Sequence, residues 1–388
     1  MHRRRFLAAG AAAASVGLAG CRSLFQTRSA RSPPLVSDRP DAVYVPSHVE
    51  GMKMAGMGSA GDFRVALTYS YPHRFWQVSG DSTNKVEIEG SDSLHLMTTV
   101  WDPETMTVLP HGSVTTTIAL DGETLTSGKP LWPMLSQNMG VHAGDNLELD
   151  GDGIYEVDVT VPPLPTRRAG ALRDRFDELA NTSFSLEFSQ SALEEISYET
   201  LPDRQGERDA LDPMEMEMMP VSATPMPGDM PGTVVGEGSS GDARLVVSRL
   251  ESPPAGISAE GESGADGTAT DASGGATATD SGADDSGADS ANGGRSYLAV
   301  SMRTPYNGYP IPQASLSATV DRNGTTLYDG PLTATVDPDL GYHYGAVADV
   351  ETGDELSLSV DAVPQIHRHE GYETAFVSFD ELSMTVGE

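Results

Sequence analysis

The sequence predicts an all-β protein made of two tandem β-sandwich domains, on three observations. Short runs with period-2 alternation recur along the chain, the second half repeats the order of the first, and helix-periodic stretches are almost absent. At 388 residues the chain also exceeds what one hydrophobic core usually organises.

In the first half the runs are RVALTYSY (64–71), LHLMTTVW (94–101), SVTTTIAL (113–120), IYEVDVTV (154–161) and SFSLEF (183–188). They are rich in β-branched and aromatic residues and alternate as half-buried strands do. Only 171–180 reads as helical. The second half offers ARLVVSRL (243–250), SYLAVSMR (296–303), ASLSATV (314–320), ELSLSV (355–360), TAFVSF (374–379) and LSMTV (382–386).

The halves read as copies of one unit from an internal duplication. GDFR at 61 meets GDAR at 241, LPHGSVTTTI at 109 meets IPQASLSATV at 311, and VPPLPTRRAG at 161 meets AVPQIHRHEG at 362. The offset is 180 residues at the start and about 201 afterwards, and one insertion explains the jump. That insertion is the acidic stretch 255–294, with Ile257 its only large apolar residue. Such a segment cannot bury enough surface to offset ordering it and is expected to be a disordered loop. The expected layout is an export signal at 1–21, a Pro-bearing tether at 22–60, a first sandwich at 61–201, a Met-rich linker at 202–240 and a second sandwich at 241–388.

Arg3, Arg4 and Arg5 precede Phe6-Leu7 and an apolar stretch ending in LAGC, an order that resembles a twin-arginine signal peptide with a lipobox. Cys21 is the only cysteine, so no intramolecular disulfide exists, and Cys21 is the expected lipid-attachment residue. No other run approaches the length of a membrane span. The expectation is a lipoprotein exported and anchored to the outer face of the cell membrane.

The formal charge is −33, and Lys53, Lys85 and Lys129 are the only lysines. Such a surface repels itself in dilute buffer and is screened in concentrated salt, a composition that resembles that of a halophile. With no basic stripe to neutralise phosphates, nucleic acid is not an expected partner.

No nucleophile elbow, phosphate loop, zinc-ribbon cysteines or nucleotide fingerprint is present, so no catalysis is expected. What remains is a set of nine histidines and sixteen methionines. A Gly-x-His-x-Gly turn occurs twice, at Gly140–Gly144 and Gly341–Gly345. Nine methionines fall in 51–57 and 214–230, where thioethers suit monovalent copper or else dock the linker as adaptable apolar contacts.

The stretches LWPMLSQNMGVHAGDNLELDGDGIYEVDVTV (131–161) and GYHYGAVADVETGDELSLSV (341–360), with the later HRH at 367–369, resemble the periplasmic iron-uptake accessory proteins. The resemblance implies immunoglobulin-like sandwiches that bind iron or copper through a turn histidine, a methionine, an early-strand histidine and an "RH" histidine. By analogy His142 and His343 fill the turn role, Met134 the thioether role, His95 the early-strand role and His369 the "RH" role. His367 is a further candidate ligand, and Glu370 and Tyr344 are candidates to orient ligands.

Each copy departs from the pattern. The first has Arg167-Arg168 at the "RH" position, and the second has Val336 and Tyr297 at the methionine and early-strand positions. Two arrangements follow: a mixed site of His95, Met134, His142 and His369 in an intramolecular pseudo-dimer, or a His343–His369 pair within the second unit. The implied role is metal acquisition beside a membrane permease. The competing reading is a structural or protein-interaction module that has lost its ligands, with glycine-flanked histidines as ordinary turn residues. A third is an oxidoreductase accessory whose copper changes oxidation state.

Overall fold

The computed structural model describes residues 33–214, 216, 218–258 and 295–387. The signal peptide, Cys21, residues 22–32 of the tether and 259–294 of the acidic insertion lie outside the described residues. The chain is all-β, and its only α-helix among the described residues is Gln190–Glu194, opened by Ser189 accepting the Ala192 N–H at 3.1 Å. No helix among them is long and apolar enough to cross a membrane.

The first half packs two sheets. The larger runs in the order 53–60, 63–70, 94–101, 140–147, 132–136, 367–369, 75–79, 82–86, and the smaller in the order 180–188, 153–161, 115–120, 123–130. Alternation sends Leu94, Leu96, Val157, Val159 and Leu186 into the space between them. The second half has the same strand order: 233–240, 243–250, 296–303, 341–348, then 325–337, which passes into the other layer to meet 315–322, 355–362 and 382–385. Leu298, Val300, Leu316 and Leu356 fill that core.

Each half lends the other a strand. His367–His369 of the second half inserts into the first half's larger sheet, parallel to 132–136 and antiparallel to 75–79. In return Arg167–Arg168 of the first half pairs in parallel with 325–337. The registers match, with Met134 opposite His367 and Thr335 opposite Arg167. Each insertion satisfies backbone groups that an open sheet edge would leave unpaired.

Several expectations are corrected. The tether over 22–60 is a strand at Lys53–Ala60, and Val43, Tyr44 and Val45 are buried. The linker over 202–240 contains the edge strand Thr233–Ser240, and Leu211 is tied down by Gln137 and Asn307. Of its methionines, Met219 packs with Met54 and Met57 against Trp101, the docking arrangement rather than a free tail. The helix expected over 171–180 is a 3-10 turn at Gly170–Leu172, because positive φ at Gly170 and Phe176 interrupts helical backbone. TAFVSF is no strand, since the Arg368 guanidinium takes the Ala375 and Phe376 carbonyls and Phe376 has φ +59°.

Candidate metal centre

The Gly-x-His-x-Gly stretch closes a hairpin. Gly140 (φ +69°) makes the turn from 132–136 into 140–147, and alternation then puts Val141 and Ala143 on the core side and His142 and Gly144 on the outer face. Across the sheet, His142 lies opposite Met134 and Asn146 opposite His95. The second glycine makes room: a Cβ on Gly144 would stand 2.8 Å from His95 Nε2. Gly345 does the same in the second half, where a Cβ would run into the Tyr297 hydroxyl.

The inserted strand delivers His369 onto this outer face, with Nε2 at 3.2 Å from Met134 Sδ. His73 enters from the turn after Pro72, between strands 63–70 and 75–79. The ring centroids of His73 and His95 are 3.9 Å apart, of His73 and His369 4.7 Å, of His142 and His369 5.1 Å, and of His95 and His369 5.6 Å. One ring nitrogen each from His73, His95 and His369 lies within 4.8 Å of the others.

The hydrogen bonds fix which nitrogens are free. His142 Nδ1 lies 3.1 Å from the Gly140 carbonyl, which only accepts, so Nδ1 carries the proton and Nε2 the lone pair. His95 Nδ1 lies 2.8 Å from Asn146 Oδ1, with the same consequence. Nε2 of His73, His95 and His142 is buried and has no hydrogen-bond partner. Three unpartnered buried polar atoms facing one region would cost about 1–3 kcal/mol each unless something binds them.

Burial holds three of the imidazoles neutral. It pushes His142 down to about 4, and it pushes His95 and His369 well below 6.5, helped by neighbouring imidazoles. Lone pairs are therefore available at neutral pH. Behind His73 stands Glu50, with Oε2 at 3.6 Å from His73 Nδ1 and Oε1 at 3.1 Å from His48 Nε2. Burial alone would raise the Glu50 carboxyl, but His48 and His73 more than offset it and hold it below its ordinary value. A carboxylate behind an imidazole is how ligating histidines are oriented. The front rank offers nitrogen and thioether sulfur, a donor set suited to copper.

The structure thus brings together His95, Met134, His142 and His369, the first three from one half and the last from the other. It does not bring His343 to them, and His367, although opposite Met134 in register, is engaged elsewhere. His343 Nδ1 meets the Gly341 carbonyl at 3.0 Å and its Nε2 the Tyr297 hydroxyl at 3.0 Å, so both nitrogens are engaged and the His343–His369 pair is not formed. His367 Nδ1 accepts the Val78 N–H at 2.9 Å and its ring packs on Trp132. Tyr344 is in the second core, donating to the Ile311 carbonyl at 3.0 Å, away from the centre. Glu370 does act nearby, pairing with Arg74 at 2.7 Å.

The strand registers also correct two correspondences. The counterpart of Met134 is Thr335 rather than Val336, and that of His369 is Ala169 rather than Arg168. Arg168 matches Arg368, which caps carbonyls. Two residues are given no role by the sequence. His73 is a lone histidine in a turn with no periodicity to mark it, although the second half has proline at the matching Pro253. Glu50 fell within the supposed tether.

A family model described as a domain of unknown function (DUF7350) matches residues 258–385. No curated protein matches the chain. Among solved structures, a copper-bound variant of FetP from uropathogenic Escherichia coli strain F11 is similar over 35% of this chain and 97% of its own, at 17% identity and a TM-score of 0.27. FetP of the same strain, as isolated after expression in the E. coli periplasm, is similar over 37% of this chain and 96% of its own, at 15% identity and a TM-score of 0.27.

Proposed function

We propose that this chain is an extracytoplasmic, membrane-anchored metal-binding protein. It holds one transition-metal ion, copper before iron, between its two halves and presents it to an uptake permease. The observation that carries the reading is the group of imidazoles beside a thioether, three of them from one half with unpartnered buried Nε2 atoms and the fourth, His369, brought from the other half onto Met134. Imidazole serves copper, iron and zinc alike, whereas thioether sulfur favours monovalent copper, and no carboxylate oxygen belongs to the group. The buried position supports tight retention of the ion, with release by a partner or a change of oxidation state.

The test is a titration of the purified full-length protein in concentrated salt with copper(I), copper(II) and iron(II). One equivalent of copper per chain is expected, with His142→Ala and His369→Ala each weakening it at least tenfold. Absence of stoichiometric copper binding, or unchanged binding in both variants, would remove the reading. Stronger binding of iron(II) than of either copper ion would replace the cargo. Anchoring is checked separately, by release of the Cys21→Ala protein from membranes.

A further inference from the structure

The second half carries a buried polar cluster at the place equivalent to the metal centre. His343 stands where His142 stands, Tyr297 where His95 stands and Thr335 where Met134 stands, all on the outer face of the corresponding sheet. The strand lent by the first half crosses it at Arg167, in the register that His367 holds in the other sheet. Arg167 Nε donates to Thr335 Oγ1 at 2.9 Å, and its Nη2 donates to the Tyr297 hydroxyl at 3.2 Å and to the Gly345 carbonyl at 3.3 Å.

These bonds form a directed chain. Arg167 donates to the Tyr297 oxygen, the Tyr297 hydroxyl donates to His343 Nε2 at 3.0 Å, and His343 Nδ1 donates to the Gly341 carbonyl at 3.0 Å. The His343 lone pair is thereby consumed, while the equivalent nitrogen of His142 has no partner. A guanidinium cannot be deprotonated, so Arg167 remains a donor to Thr335 Oγ1, the Tyr297 oxygen and the Gly345 carbonyl and occupies the oxygens an incoming cation would need.

We propose that Arg167 keeps metal out of the second cluster, so that the chain takes one ion at the His73/His95/His142/His369 centre and none at His343. The guanidinium supplies in permanent form the cation that the first centre receives from solution. This rests on the metal-binding reading above and adds the stoichiometry and the residue that sets it.

The experiment counts copper bound per full-length chain by titration and elemental analysis. Wild type is expected to take one equivalent, and His142→Ala/His369→Ala none. Tyr297→His/Thr335→Met with Arg167 retained should still take one, and adding Arg167→Ala to that pair should give two, the second lost on adding His343→Ala. The proposal is overturned if wild type takes two equivalents with one removed by His343→Ala, or if the pair takes two with Arg167 retained. It is also overturned if removing Arg167 adds none in a protein that melts cooperatively. Should the engineered variants fail to fold, the wild-type and His142→Ala/His369→Ala counts still test the stoichiometry, and an ion retained by that double variant overturns the proposal. A zero count in wild type would sink the metal-binding reading instead, while the one-equivalent difference between variants with and without Arg167 would still be readable.

Discussion

Arg74 and Glu370, nearly three hundred residues apart in sequence, form a two-pronged contact in which Nη2 and Nε lie 2.7 and 3.2 Å from the same carboxylate oxygen. Each is the neighbour in sequence of a candidate ligand, His73 in one half and His369 in the other. The Glu370 carboxylate also accepts from the Ser47 hydroxyl at 3.1 Å, and both charged side chains are largely shielded from water. Removing one partner of a shielded pair leaves the other charge uncompensated. Arg74→Ala is expected to cost about 3 kcal/mol in denaturant unfolding and to lower copper affinity roughly tenfold, as loss of an orienting contact does. The exposed pair Lys85–Glu87 is the control, and Lys85→Ala should change neither.

Gly144 has ordinary extended backbone, so any penalty of substitution there is one of packing. A Cβ would meet His95 Nε2 at 2.8 Å and the Leu96 carbonyl at 3.0 Å. Gly144→Ala is expected to destabilise by about 2 kcal/mol through overpacking and to displace the His95 ring from the centre. Thermal melting and copper titration check both effects. Unchanged copper affinity would show that His95 is not a ligand.

How far the site was legible depended on what fixed each residue. Strands 94–101, 243–250 and 296–303 are readable from their β-branched, aromatic and alternating residues, although 94–101 and 296–303 are buried on both faces rather than half-buried. Ser82–Val86 is not, since STNKV is an exposed edge with Val86 its single apolar residue and so no alternation. Strand 53–60 reads as tether because the prolines before it colour the whole of 22–60, yet it is a strand whose Gly56 and Gly58 let Phe184 and Thr182 of strand 180–188 lie across them. The doubled glycine–histidine turn marked His142 and His343 equally. What separates them is a residue on the neighbouring strand, since Tyr297 uses the His343 lone pair and His95 leaves that of His142 free. No local pattern encodes that difference, and none marks His73, whose place depends on Asn146 and Glu50.

Asn146 holds two candidate ligands at once. Its Oδ1 faces His95 Nδ1 at 2.8 Å and accepts the His73 backbone N–H at 3.3 Å, while its Nδ2 donates to the His73 carbonyl at 2.9 Å. Asn146→Ala should free the His95 ring to rotate and loosen the turn carrying His73. A fall in copper affinity of about 10–100-fold is expected, with a changed copper(II) visible or electron paramagnetic resonance spectrum. An unaltered spectrum with only lower melting temperature would assign Asn146 a purely structural part.

Acid should destabilise the metal-free protein through histidines it buries neutral. His343 is buried, and that burial lowers it from 6.5 to about 4, with Arg167 adding to the shift. Between these values the unfolded chain binds a proton that the folded chain does not, so stability rises with pH across this window. The contribution is complete above pH 6.5, is lost as pH falls towards 4, and changes no further below that. A displacement of this size corresponds to about 3 kcal/mol from His343 alone. His142 and His367, each lowered to about 4 mainly by burial, act in the same direction. Urea unfolding of metal-free wild type and His343→Gln between pH 4 and pH 7 measures it. The variant should show the shallower pH slope, its amide lacking the proton uptake, and equal slopes would mean that His343 is not held neutral in the fold.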